Sequence, residues 1–122
     1  MSADTTQEII YKIHGNEFDV KQLLDLLNDD RGIIRANVLF ALPSKFGESD
    51  DLIVTALTSA ATNDFSLFKL MGDITQKKLS IATLSWMDSD VAKNAYRYLI
   101  ENCDSVEVED IERLSQHGPI QV

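Results

Sequence analysis

The chain has 122 residues, 44% hydrophobic and 25% charged, the size and balance of one globular domain over 1–122 rather than of two domains or a disordered segment. Its 20 acids against 11 bases give a net charge of -9, which repels nucleic-acid phosphates and makes direct nucleic-acid binding an unexpected function. A single cysteine, Cys103, rules out an internal disulfide, no apolar run nears the roughly 20 residues that span a bilayer, and Met1 to Glu8 lack the basic-then-apolar order of an export signal; a cytoplasmic protein with no membrane contact is expected.

In chain order, a first helix is expected from Thr5 to His14, stopped at Gly15. A second runs from Asp19 to Asn28, with Val20, Leu23, Leu24 and Leu27 on one face. A third runs from Gly32 to Leu42, where Ile34, Val38, Ala41 and Leu42 form a stripe that Leu39 and Phe40 widen, as in a helix wedged between neighbours. Pro43 ends it, because the residue before a proline is pushed out of helical geometry. Ser49 is placed to cap a fourth helix, with Asp50 and Asp51 in the first turn, where the helix dipole favours negative charge. That helix carries Ile53, Ala56, Leu57, Ala60 and Ala61, and breaks at Thr62-Asn63-Asp64.

A short helical turn, Ser66 to Met71, is expected next. Asp73 is then the expected cap of a longer helix holding Leu79, Ala82, Leu84, Trp86 and Met87. Ser89 caps the following one, with Val91, Ala95, Tyr98 and Leu99 on its buried face. Asp104 and Glu107 have the spacing of a capping box for a last helix holding Val108, Ile111 and Leu114, closed by Gly118-Pro119. No long period-two alternation and no Asn-Gly or Asp-Gly turn appears, so strands are not expected. The pattern predicts an all-α chain of about seven to eight helices.

Two segments are alike. Ile34, Asn37, Val38 and Leu42 match Val91, Asn94, Ala95 and Leu99 in spacing, each set following an acidic turn. The first copy, with Leu23-Leu24-Asp25-Leu26-Leu27-Asn28-Asp29-Asp30, then Ile34-Arg35 and Val38-Leu39-Phe40-Ala41-Leu42, resembles the HEAT-repeat family. In the second copy Ala92 stands where that pattern has arginine, and the copies lie further apart than one unit of roughly 40 residues. The resemblance implies a short right-handed helical-repeat stack that works as a protein-interaction module. It also implies that Arg35 pairs with Asp29 or Asp30 in the inter-helix turn.

The residues offer little chemistry. His14 and His117 lie at helix ends, where histidine complements the dipole, and no His-x-x-x-His spacing exists for zinc. Asp88-Ser89-Asp90 opens like a calcium loop, but Lys93 and Leu99 occupy the positions that need glycine and glutamate. Asp104 beside Cys103 disfavours a reactive thiolate. The five glycines are isolated, so no phosphate loop is present. A non-enzymatic chain without metal or cofactor is expected.

The surface offers more. Asn37 and Asn94 recur mid-helix, where asparagine has only modest helix propensity, and together with Arg35 would line a concave partner-binding side. Tyr96 is the aromatic expected to face solvent, and aromatics anchor interfaces. From Glu101 to Glu112 six acids stand without a base. Glu107, Glu109 and Asp110 would either dock a basic protein partner or cap the stack against open-ended association. The expected function is protein–protein interaction. The alternative is an acidic inhibitor or immunity-type protein, a nucleic-acid mimic among them, sitting on a basic partner site.

Overall fold

The computed structural model describes residues 5–119. Met1–Asp4 and Ile120–Val122, the outer ends of the expected domain and part of the stretch read for an export signal, lie outside the described residues. Within them the chain forms α1 (Thr6–His14), α2 (Val20–Leu26), α3 (Gly32–Ala41), a 3-10 turn (Leu42–Lys45), α4 (Asp50–Thr62), the strands β1 (Lys69–Met71) and β2 (Ile74–Thr75), then α5 (Gln76–Ser85), α6 (Asp90–Glu101) and α7 (Ser105–His117). The architecture is predominantly helical. None of the described helices is long and apolar enough to cross a membrane.

Local chemistry sets most boundaries. Thr5 caps α1 by accepting from Glu8 N–H, and Ser89 caps α6 by accepting from Ala92 N–H. Reciprocal capping boxes open α2, through Asp19 and Gln22, and α7, through Asp104 and Glu107. Each satisfies two backbone donors that the first helical turn leaves without partners. Ser49 precedes α4 as expected but makes no capping bond; instead Asp50 accepts from Gly47 N–H at 2.7 Å.

The expected helical turn over Ser66 to Met71 is absent. That stretch enters an antiparallel hairpin, with Lys69 opposite Thr75 and Met71 opposite Ile74. Gly72 takes the first turn position at φ +54, and a Gly-Asp pair is a turn chemistry that short hairpins accept. Since Asp73 is used in the turn, the cap of α5 falls to Thr75, which accepts from Lys78 N–H.

Helix α5 is the centre of the molecule. It packs against α3, α4, α6, α7 and β2, and every one of its residues except Lys77 and Ser85 is buried. Its apolar members Leu79, Ile81, Ala82 and Leu84 join Ile34, Leu39, Ile53, Leu57 and Ile111 in the core. Two of its polar members are answered by backbone carbonyls: Thr83 donates to that of Leu79 at 2.7 Å, and Gln76 to that of Ala60, on α4, at 3.0 Å. Buried polar groups are tolerated at such sites because hydrogen bonds offset their desolvation.

Helix α6 is rotated from the expected face. It buries Ala92 and Leu99 and packs Ala95, Tyr96 and Ile100 on the core, while Val91 and Tyr98 are 49% and 65% exposed. Both faces have helical spacing. Ala92 is fully buried on the face that packs inward, where a small side chain lets helices approach closely.

Candidate functional site

The structure separates the residues singled out from the sequence. Arg35 is fully buried and offers no surface to a partner. Its Nε donates to Gln76 Oε1 at 2.7 Å and its Nη1 to the backbone carbonyl of Asp29 at 2.7 Å. The expected side-chain pairing of Arg35 with Asp29 or Asp30 is replaced by another. Arg31 holds the Asp29 carboxylate through Nε and Nη2, both at 2.8 Å. That two-pronged bond keeps the Asp29 carboxyl down at about 2. Arg31 reaches the turn from the helix start, whereas Arg35, one turn further along, points inward against Phe65 and Phe68.

Asn37 is half-buried and occupied. Its Nδ2 donates to the carbonyl of Ile33, and its Oδ1 accepts from His14 Nε2 at 2.6 Å. Asn94 is exposed on α6. Tyr96 is half-buried against the core, and Tyr98 is the tyrosine that faces solvent, the reverse of the expectation.

The acidic face of α7 is partly consumed. Glu107 pairs with Lys77 at 3.1 Å and Asp110 with Lys78 at 2.6 Å. Lys78 also donates to the carbonyl of Asp73 at 3.1 Å. These bonds fasten α7 to α5, and the Lys78 bond holds the Asp110 carboxyl below its usual range. Glu109 is exposed and lies 3.5 Å from Arg113. The Cys103 thiol donates to the carbonyl of Leu99 at 3.3 Å, and burial pushes its pKa up, as suits a structural rather than a nucleophilic thiol. No three of the described His, Cys, Asp and Glu residues group closely enough to hold a metal ion.

Two open grooves are large enough for a partner's side chains. One, about 420 Å³, lies between the hairpin and α7, over Met71, Ile74 and Leu114. Two of its charges are already matched, Asp110 by Lys78 and Arg113 by Glu109 and Asp110, while exposed Asp73 at its edge has only a 3.8 Å contact with Lys69. The other, about 410 Å³, lies between α5 and α6 and is lined by Leu84, Ser85, Lys93, Tyr96, Arg97 and Ile100. Half-buried Tyr96 and Ile100 give it an apolar floor over the fully buried Leu84. Lys93 and Arg97 stand on its rim, both exposed.

In that second groove the charges are not matched. Among the described residues Arg97 makes no hydrogen bond or ion pair, and Glu101, one turn on, does not close on it. Lys93 has only a loose contact with exposed Asp88 at 3.7 Å, a kind of pair worth little in water. Sequence reasoning found Tyr96 but missed its company. The signal was there: Lys93, Tyr96, Arg97 and Ile100 are spaced as one helix face, yet the two bases look scattered when counted along a chain of net charge -9. Comparison with protein-family models, with curated proteins and with solved structures finds no match to this chain.

Proposed function

We propose that the chain is a non-enzymatic protein-interaction module that holds a segment of another protein in the groove between α5 and α6. The observation that carries this reading is the groove itself: about 410 Å³, floored by Tyr96 and Ile100 and rimmed by Arg97, a cation with no partner among the described residues. An apolar floor with a few polar groups at its edge is what anchors a partner's side chains. The reading extends to a HEAT-like stack working in the cytoplasm. Helices packed against those one or two places along the chain, as α1 on α3, α4 on α5 and α6, and α5 on α7, support a short stack, and the single, partly buried Cys103 suits a reducing compartment.

The acidic-inhibitor alternative is weaker. Two of the three acids it relies on, Glu107 and Asp110, are tied to Lys77 and Lys78, so docking them on a basic partner means breaking bonds that hold α7 in place.

The test is to fill the groove. Ser85→Trp places a large ring at the exposed end of α5, and circular dichroism verifies that the variant folds. Mass spectrometry then compares what wild type and variant capture from the source organism's lysate. Loss of a stoichiometric partner by the folded variant is expected. Retention of every wild-type partner refutes the groove.

A further inference from the structure

We infer that the segment held in the α5–α6 groove is an acidic amphipathic peptide, with two carboxylates about one helical turn apart meeting Lys93 and Arg97. The inference rests on the reading of the groove as a partner site and adds the chemistry of its occupant.

Charge carries it. The chain has a net charge of -9, yet the rim of this groove is locally positive. Lys93 and Arg97 stand four residues apart on α6, where like charges are neighbours on the helix surface and repel. The acids nearest in the chain leave that repulsion in place: Asp88 makes only the 3.7 Å contact with Lys93, and Glu101 makes none with Arg97. A partner carboxylate at each head relieves the repulsion and satisfies the guanidinium fork of Arg97, which matches a carboxylate in two-pronged geometry.

Spacing narrows the occupant further. Two heads one turn apart on α6 stand about 6 Å apart along the helix axis. Side chains three or four apart on a partner helix have the same separation, so a short amphipathic helix presents both carboxylates together. Its apolar side chains then lie on Tyr96 and Ile100, the manner in which a helix is read by a groove. The acids elsewhere on the chain act over longer distances and are screened beyond about 8 Å at physiological salt, while the two contact pairs are not.

A random peptide library displayed on phage, panned against the whole chain, supplies the probe. Enriched peptides are synthesised and titrated into ¹⁵N-labelled wild type and Arg97→Glu, an exposed substitution whose folding the amide spectrum verifies. The expected result is peptides that combine Asp or Glu with apolar residues, move the amides of Ser85, Lys93, Arg97 and Ile100, and bind Arg97→Glu at least about tenfold more weakly. Peptides that move the same amides but lack acids, or bind Arg97→Glu equally well, overturn the acidic occupant and leave the groove reading standing. Peptides that move amides elsewhere, or a library from which none is enriched, overturn both. Groove shifts that appear only with rising chain concentration, or only with vesicles of anionic lipid, assign the occupant to a second copy or a lipid and overturn the peptide.

Discussion

The guanidinium carbon of Arg35 lies 3.9 Å from the centroid of the Phe65 ring, so a buried cation on α3 is clamped by an aromatic from the loop that follows α4. Phe68 covers it at 5.0 Å. Gln76 ties the same guanidinium to the start of α5 and, through its own amide, to the carbonyl of Ala60 near the end of α4. One side chain thus joins α3, α4, α5 and the connection between them.

Removing that clamp is expected to be costly. Arg35→Ala strips Gln76 Oε1 and the Asp29 carbonyl of a donor and opens a cavity between two rings, a loss of about 3 kcal/mol in urea unfolding. Arg35→Lys keeps the charge but neither the fork nor the flat face, and loses about 2 kcal/mol. A double-mutant cycle with Phe65→Ala isolates the ring contact, for which about 1 kcal/mol of coupling is expected; zero coupling means the rings merely fill space.

Gly32 and Phe68 make a second testable pair. A Cβ added at Gly32 would lie 2.5 Å from Phe68 Cε1, closer than carbon atoms tolerate. Gly32→Ala should therefore destabilise the chain by about 1 kcal/mol, although alanine is the better helix former. In a Phe68→Ala background the clash is gone, and the same substitution should gain a few tenths of a kcal/mol. The change of sign between the two backgrounds is the prediction; a Gly32→Ala effect of one sign in both counts against the contact.

Ser80 gives a prediction in the opposite direction. Its Oγ is buried in α5 with no partner among the described groups. A buried hydroxyl without a hydrogen bond carries its desolvation penalty unrelieved. Ser80→Ala removes this fully buried hydroxyl from the central helix and should raise stability by about 1 kcal/mol. A lowered thermal midpoint would show that the hydroxyl is bonded in solution.

Acid should loosen the chain through two carboxyls. Asp29 is held at about 2 by Arg31, and Asp110 is held below its usual range by Lys78. In the unfolded chain both return to a value near 4. The unfolded state then binds more protons, so the two pairs contribute fully above about pH 5 and lose that contribution as pH falls through 4 toward the folded values. Urea midpoints at pH 7, 4 and 3 should fall in that order. Asp29→Asn should be less stable at pH 7 and lose less between pH 7 and 3; parallel curves for wild type and variant would refute the assignment.

The helices were legible in the sequence because their signals are local. Asp104 and Glu107, or Thr5 before α1, announce a helix start through bonds that span three residues, and the apolar spacing of α2 and α3 needs no distant partner to be read. The hairpin was not, since Lys69 to Thr75 has too few residues for alternation to show and its Gly-Asp turn is less conspicuous than Asn-Gly. The candidate site was half legible: Tyr96 was found, Lys93 and Arg97 were not.

By itself, then, the sequence determined a predominantly helical chain, its break points and most of its core. Which side of α6 faces inward, and which polar side chains go inside, was decided by the tertiary structure. Ala92 rather than Val91 is buried, and Arg35 is swallowed where a surface role was expected. Gln76, Lys78, Ser80 and Thr83, polar enough to suggest an exposed helix, became the centre of the molecule. The physical reason is that burial of a polar side chain depends on partners far away in the chain, such as Asp110 for Lys78 and Arg35 for Gln76, and those partners come within reach only once the helices have packed.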